Sequence, residues 1–357
     1  MRLLMLTAGL LGLYGTVCCS SVPPVGVVAA AQEGMPVFSD YSSALRYVLS
    51  KMQEGKTPLM LRMSSNSRQT AQKLSQDCAK HAMITKVKSM ALGHVVSLEL
   101  TYVDDTLLLA AHKGYLPESQ LTASQRNALH KIQGVVNGIM RQHASQYAQA
   151  LAMHDYILTT SLYDVNMKTW DHATVTVDLI NTHRSVCDGY TRLYHMMLSM
   201  AGIENRIVVG SSSDNMSHSW NLVRLDGVWT HVDCTYDDPV PDEAGRTMRH
   251  YFGMTDAQIG RNHRWNRAEY PAATSNSVYY PTTHGLRFNT MEEFLRYCPG
   301  HAAAGNQNIS AYVKEADSAR VDSKELLERT QNKMRMNLVK SLQVDDGAPG
   351  VLYCQFR

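Results

Sequence analysis

The chain has 357 residues, 44% apolar and 18% charged, enough to bury more than one core, which excludes a disordered tail protein. Lys plus Arg number 34 against 32 for Asp plus Glu, a formal charge of +2. So small an excess gives no electrostatic case for nucleic acid or an acidic membrane as partner. Past the first residues no segment is long and apolar enough to expect a stable membrane span.

In chain order, residues 1–31 carry the three parts of a secretory signal peptide: Arg2, an apolar run from Leu3 to Val17, and a small-residue ending at Ala29-Ala30-Ala31. They predict a secreted, periplasmic or cell-surface protein. Gly15-Thr16-Val17 lacks the leucine and small-residue pattern that would make Cys18 a lipidation site. Cleavage after Ala31 leaves Cys78, Cys187, Cys234, Cys298 and Cys354, an odd number that suggests one free thiol with a separate job. With Cys187 as that thiol, the others remain available for bridges.

Residues 32–124 read as an N-terminal α/β domain. The spacing of Ala44, Leu45, Val48 and Leu49 predicts a helix over 40–52. Leu59-Met60-Leu61 then reads as a strand, 68–81 as a second helix and 95–103 as a second strand. Residues 273–357 repeat this order: Phe288 precedes Leu295-Arg296-Tyr297 at the spacing that separates Phe38 from Leu45-Arg46-Tyr47. A strand at 309–313 follows, then a helix opened by Asp322 and Glu325. Residues 125–272 form the domain between. It begins with a Pro-free helical stretch from Thr122 to Ile157, read as two helices, and continues through an irregular segment with a short helix near 175–180.

Fifteen histidines make any single one weak evidence, so the chemistry must come from a constellation. Cys187-Asp188-Gly189-Tyr190 precedes an apolar helical pattern (Leu193, Met196, Met197, Met200) ended by Gly202. Cys187 therefore stands at a helix start, where backbone N–H groups and the dipole favour a thiolate. After a strand at 203–209 and a polar loop, the runs 218–225 and 228–235 meet across Asp226-Gly227, a strong hairpin signal that sets the register. Pairing Leu225 with Val228 puts Trp220 opposite Asp233 and Thr235 opposite His218. His218, Trp220 and Asp233 then share one face, with His218 and Asp233 as diagonal neighbours. A helix-start thiol, an imidazole and a carboxylate are the parts of a cysteine acyl-transfer site. His218 takes the thiol proton, and Asp233 fixes the imidazole tautomer.

These residues resemble the transglutaminase-like superfamily, whose core is papain-like. The likeness rests on Cys187-Asp188-Gly189-Tyr190, Ala201-Gly202-Ile203, His218-Ser219-Trp220-Asn221, Gly227-Val228-Trp229, His231-Val232-Asp233 and Asp237-Asp238-Pro239. Tyr251-Phe252 and His263-Arg264-Trp265 to Tyr270-Pro271 extend it, so that it covers about residues 145–271. The resemblance implies an α+β fold: a helix carrying the Cys packed on an antiparallel sheet, flanked here by two small α/β units. It also implies Cys187 as nucleophile, His218 as base and Asp233 as third member. Members often carry an aromatic residue upstream of the Cys at the oxyanion hole. Here the stretch 174–179 has Thr and Val instead, leaving Trp170 as a substitute and the Cys187 N–H as the safer donor.

Trp220 is expected as a wall beside the catalytic face or as a core residue. Cys234 points to the opposite face, toward packing or a disulfide. No cofactor and no metal are expected: Asp237 and Asp238 read as a turn, and strand alternation separates His231 from Cys234. Asn215 and Asn308 fit the glycosylation pattern, and a glycan beside His218 would crowd the site. The functional expectation is a secreted cysteine enzyme acting on peptide amides through a thioester, with hydrolysis favoured over amine cross-linking. Its substrate would be a peptide or protein, a cell-wall peptide among the options. The contrasting expectation is a non-catalytic surface-binding module on the same scaffold.

Overall fold

The computed structural model describes residues 34–167, 171–238, 240, 247–306, 308–317, 322–344 and 350–356. The signal-peptide reading of 1–31, Cys18 and Trp170 lie outside the described residues. The chain divides into two compact units, one of Met1–Lys131 with Asp171–Val177 and one of Ile132–Trp170 with Asp178–Arg357.

The first unit runs β1 (Val37–Phe38), α1 (Tyr41–Gln53), β2 (Leu59–Met63), α2 (Ser67–Cys78), β3 (Ile84–Leu92), β4 (Val95–Tyr102) and α3 (Asp104–His112). Helix α1 starts where the Asp40 carboxylate accepts the Ser43 N–H at 2.8 Å, capping an otherwise orphaned donor. Ala44, Val48 and Met52 recur every fourth residue and are fully buried, the stripe a 3.6-residue period puts on one face. They pack with Leu59, Leu61 and Met63 of β2 and Leu98 of β4. The sheet order is β1-β2-β4-β3, with β1 parallel to β2 and the other pairs antiparallel. Strand β3 was not expected from the sequence. It is an edge strand in which Lys86 and Lys88 interrupt the apolar alternation, a common way of blunting an edge.

Helices α4 (Ala123–Gln142) and α5 (Gln146–Thr160) follow, then β5 (Leu162–Tyr163), α6 (Val175–Thr182) and β6 (Arg184–Ser185). The second unit then contains α7 (Cys187–Met200), β7 (Asn205–Ser212), β8 (Ser217–Leu225), β9 (Val228–Val232), β10 (Phe252–Met254), α8 (Asp256–Ile259) and β11 (His263–Arg264). Its sheet is antiparallel throughout, in the order β10-β9-β8-β7-β11. Helix α7 packs on β7 and β8, and α5 packs on α7. The expected α+β core, a Cys-bearing helix on an antiparallel sheet, is present.

The unit continues with α9 (Tyr280–Thr283), β12 (Arg287–Phe288), α10 (Met291–Ala303), β13 (Asn308–Val313), α11 (Ser323–Met334), β14 (Val339–Val344) and β15 (Val351–Phe356). These strands order as β12-β13-β15-β14, the same topology as β1 to β4. The register repeats too: Phe38 pairs with Met63, and Phe288 with Val313. The duplicated unit expected from the Phe-to-Tyr spacing is thus present as two βαβαββ folds.

Candidate active site

Cys187 is the first residue of α7, preceded by the extended Val186. The helix is locked to β8 four residues further on. Thr191 Oγ1 donates to the Ser219 carbonyl at 2.8 Å, Ser219 Oγ donates to Thr191 Oγ1 at 3.2 Å, and Asn221 Nδ2 donates to the Thr191 carbonyl at 3.1 Å. Because Ser219 adjoins His218, this lock brings the helix start to the start of the strand. The Cys187 thiol is near enough to the His218 imidazole to help raise it.

The hairpin has the expected register, Leu225 opposite Val228 and Leu222 opposite His231. Asp226 and Gly227 both have positive φ, 49° and 85°, the turn that fits the twist of two strands. Asp233 directly follows β9. Its Oδ2 accepts the His218 Nε2–H at 2.6 Å. Oδ1 accepts the backbone N–H groups of Thr235 and Tyr236 at 2.9 and 3.1 Å. His218 and Asp233 are 6% and 1% exposed, so their charges act through little water.

Burial alone would push the His218 imidazole down. The Asp233 carboxylate outweighs it by charge and hydrogen bond, Cys187 adds to the effect, and the imidazole is raised to about 10. Burial would likewise raise Asp233, yet His218 and then His263 hold its carboxyl well below the usual range.

Two neighbours of the site were missed in the sequence. Tyr163 on β5 pairs with Ser185 on β6, two residues before Cys187 in the chain. Burial, and then the charge of Cys187, push its phenol up to about 12. His263 on β11 is fully buried, and its Nε2–H donates to Asp233 Oδ2 at 2.9 Å. Both strands are only two residues long, and no period reveals such a segment. The His263-Arg264-Trp265 string was visible as part of the resemblance, but nothing local pointed to Asp233.

Of the two readings of Trp220, wall or core residue, its surroundings are those of a core residue. It is fully buried, and its Nε1–H donates to His231 Nδ1 at 2.9 Å. Its ring stacks near His218, with centroids 5.8 Å apart and planes 19° apart. It is a floor beneath the imidazole, with no surface to offer a substrate as a wall. His231 Nε2 in turn pairs with Asp256 at 2.8 Å. Cys78, Cys234, Cys298 and Cys354 are buried free thiols, whereas Cys187 is partly exposed. Cys234 therefore packs rather than bridging. Asp237 accepts the N–H groups of His250 and Tyr251 at 2.7 and 3.0 Å and faces His154 Nε2 at 3.0 Å, a buried turn anchor. Among the described residues, His218, Asp233 and His263 bring three possible metal-ligand atoms within 4.8 Å of one another. Those atoms are engaged in the hydrogen bonds just described.

Residues 133–234 match the model of the transglutaminase-like superfamily. The kyphoscoliosis peptidase of Mus musculus is 27% identical over 134 residues, 34% of this chain and 20% of that protein. Its Homo sapiens counterpart is 26% identical over 133 residues, again 34% and 20%. The match to this chain thus spans about a fifth of the length of these curated relatives. Among solved structures, the periplasmic domain of TgpA from Pseudomonas aeruginosa is 17% identical, covers 40% of this chain and 54% of that one, and has a TM-score of 0.28. Cys187, His218 and Asp233 all lie within the segment that matches the transglutaminase-like superfamily.

Proposed function

We propose that this chain is a cysteine enzyme that cleaves peptide amides through a thioester on Cys187. The observation that carries the reading is the bond between His218 Nε2 and Asp233 at 2.6 Å, beside a Cys187 thiol that acts on the same imidazole. His218 accepts the thiol proton, and the sulfur attacks the substrate carbonyl to form a tetrahedral oxyanion. The backbone N–H of Cys187 and the Tyr163 hydroxyl are the donors suited to that oxyanion. Collapse breaks the C–N bond, His218 protonates the departing amine, and the acyl group remains on sulfur. Water then attacks the thioester, giving a carboxylate and restoring the thiol. Asp233 holds the imidazole orientation and stabilises the imidazolium.

Hydrolysis is favoured over amine transfer because water is the most concentrated acceptor and no lid over Cys187 is evident among the described residues. A peptide or protein is the substrate, with cell-wall peptides within the class. The signal-like residues 1–31 support export, and among the described residues no helix is long and apolar enough to cross a membrane. The repeated βαβαββ topology favours a second reading, in which the duplicated units bind a surface partner and the site is a scaffold.

The test incubates the protein with casein, with and without a dansylated amine, between about pH 5 and 9, alongside Cys187→Ala. New amino termini made only by the wild type support hydrolysis. Dansyl incorporation without cleavage would shift the reading to cross-linking. Equal product from both proteins would remove Cys187 from the chemistry, and inactivity of both would favour the binding module.

A further inference from the structure

Asp233 carries more hydrogen bonds than a third member of a triad requires. Oδ1 is saturated by the Thr235 and Tyr236 N–H groups. Oδ2 takes two imidazoles, His218 at 2.6 Å and His263 at 2.9 Å. A carboxylate with four donors around it can neither rotate nor shift toward either ring alone. The second imidazole is itself held in place. His263 Nδ1 meets Asn262 Oδ1 at 2.7 Å, and Asn262 Nδ2 donates to the Tyr251 hydroxyl at 2.6 Å. Trp220 and Tyr236 stand against the His263 ring at 4.7 Å each. His263 and Tyr251 are fully buried, and Asn262 is nearly so.

This is an expensive arrangement for a core that needs only packing. A buried polar chain is tolerated when every member is satisfied, and its return is a single fixed geometry. The chain here leads from Tyr251 through Asn262, His263 and Asp233 to His218, whose imidazole also feels Cys187, the one partly exposed thiol among the described residues. We propose that His263 is a positioning residue of this site: its Nε2–H on Asp233 Oδ2 fixes the carboxylate so that His218 keeps the orientation that serves Cys187. The inference rests on the proposed function for its purpose, though its geometry does not depend on substrate. The titratable groups facing His263 are Asp233 after β9, His218 on β8, His231 on β9, and Tyr236 and Tyr251.

The test reads the thiol directly. Alkylation of native protein by iodoacetamide is followed against pH, scoring the Cys187 peptide by mass spectrometry. The proteins are wild type, His263→Phe, which keeps a ring without the donor, and His263→Gln, which keeps an N–H donor. His263→Phe is expected to slow alkylation at pH 6 about tenfold. The acid limb of its profile should move up by about one pH unit, because a carboxylate free to turn holds the imidazolium less firmly beside the thiolate it stabilises. His263→Gln is expected to stay within about threefold of wild type, a rescue that filling space alone would not produce. A folded His263→Phe with the wild-type rate and limb overturns the inference. Should His263→Phe fail to fold, imidazole NMR of the wild type decides. A slowly exchanging Nε2–H on His263 is required, and a freely exchanging one overturns the proposal.

Alkylation needs no substrate, so this result stands apart from the casein test. A His263-dependent thiol in a protein that cleaves nothing keeps the inference and removes the proposed function. Cleavage with a thiol indifferent to His263 does the reverse.

Discussion

At Asp233 the energetics are decided by pairing, because an isolated carboxylate this deeply buried would be driven toward its neutral form. Its partner His218 shows the same balance from the other side, since burial lowers the imidazole and the carboxylate raises it to about 10. An imidazole raised in this way contributes stability that is fully present below its unfolded value of about 6.5. That contribution is lost as pH rises through about 10. Asp233→Asn removes the charge that raises His218 and leaves the burial that lowers it. The alkaline limb of amide cleavage, set by loss of the imidazolium proton that must reach the leaving amine, is therefore expected to move down by several pH units, with kcat/KM reduced by about 10²–10⁴. Amide cleavage followed against pH checks this, and an unmoved alkaline limb would refute it. The His218–Asp233 pair was readable beforehand because Asp226-Gly227 sets a register and a register assigns faces. His263 and Tyr163 were not readable, since each arrives on a two-residue strand whose partner is fixed only by the completed fold.

Among the elements, α7 and β8 bear the geometry of the site, and the apolar stripe of α7 alone would leave it free to slide. Thr191 removes that freedom through its hydroxyl and carbonyl, joined to Ser219 and Asn221. Thr191→Val preserves the shape and deletes the hydroxyl, leaving buried polar atoms of Ser219 short of a partner. The expected loss is about 1–3 kcal/mol in unfolding free energy, measured by urea titration. Slower alkylation of Cys187 should accompany it as the helix start drifts from His218. Unchanged stability would show that the hydroxyl adds nothing to the lock. The elements that the sequence revealed are those with a full period on a buried face, such as α1, whose Ala44, Val48 and Met52 are all at zero exposure. Edge strands stay hidden for the opposite reason. One side of β3 meets solvent, and its lysines obey that environment rather than an alternation.

At the scale of the molecule, the stretch from 273 onward reads in sequence as a separate copy of the first βαβαββ unit. In the fold it shares one compact unit with the site. Ala273, Tyr279 and Val351 are buried in the same cluster as Val208, Trp220, Leu222, Tyr251 and Met254. Gly253 lets the chain pass so closely that a Cβ there would lie 2.1 Å from the Val278 carbonyl oxygen. Arg261 and Asp317 join the same two stretches by paired hydrogen bonds of 2.8 and 3.2 Å. Sequence pattern reports the inward face of each element but not which neighbouring sheet it meets, so this dependence could not be read in advance. Each large apolar side chain stripped of its cover forfeits about 1.5–3 kcal/mol, against a total stability of about 5–15 kcal/mol for a domain. Two or three such losses beneath Trp220 are enough to unseat the floor of the His218 imidazole. A chain ending at Ala272 is therefore expected to lose its cooperative thermal transition for the second unit. Its tryptophan emission should shift to the red as Trp220 meets water, and Cys187 should alkylate no faster than the thiol of an unfolded peptide. Circular dichroism and fluorescence of the shortened chain measure this. A sharp transition near the full-length temperature, with a blue-shifted Trp220, would mean that the site stands without the second copy.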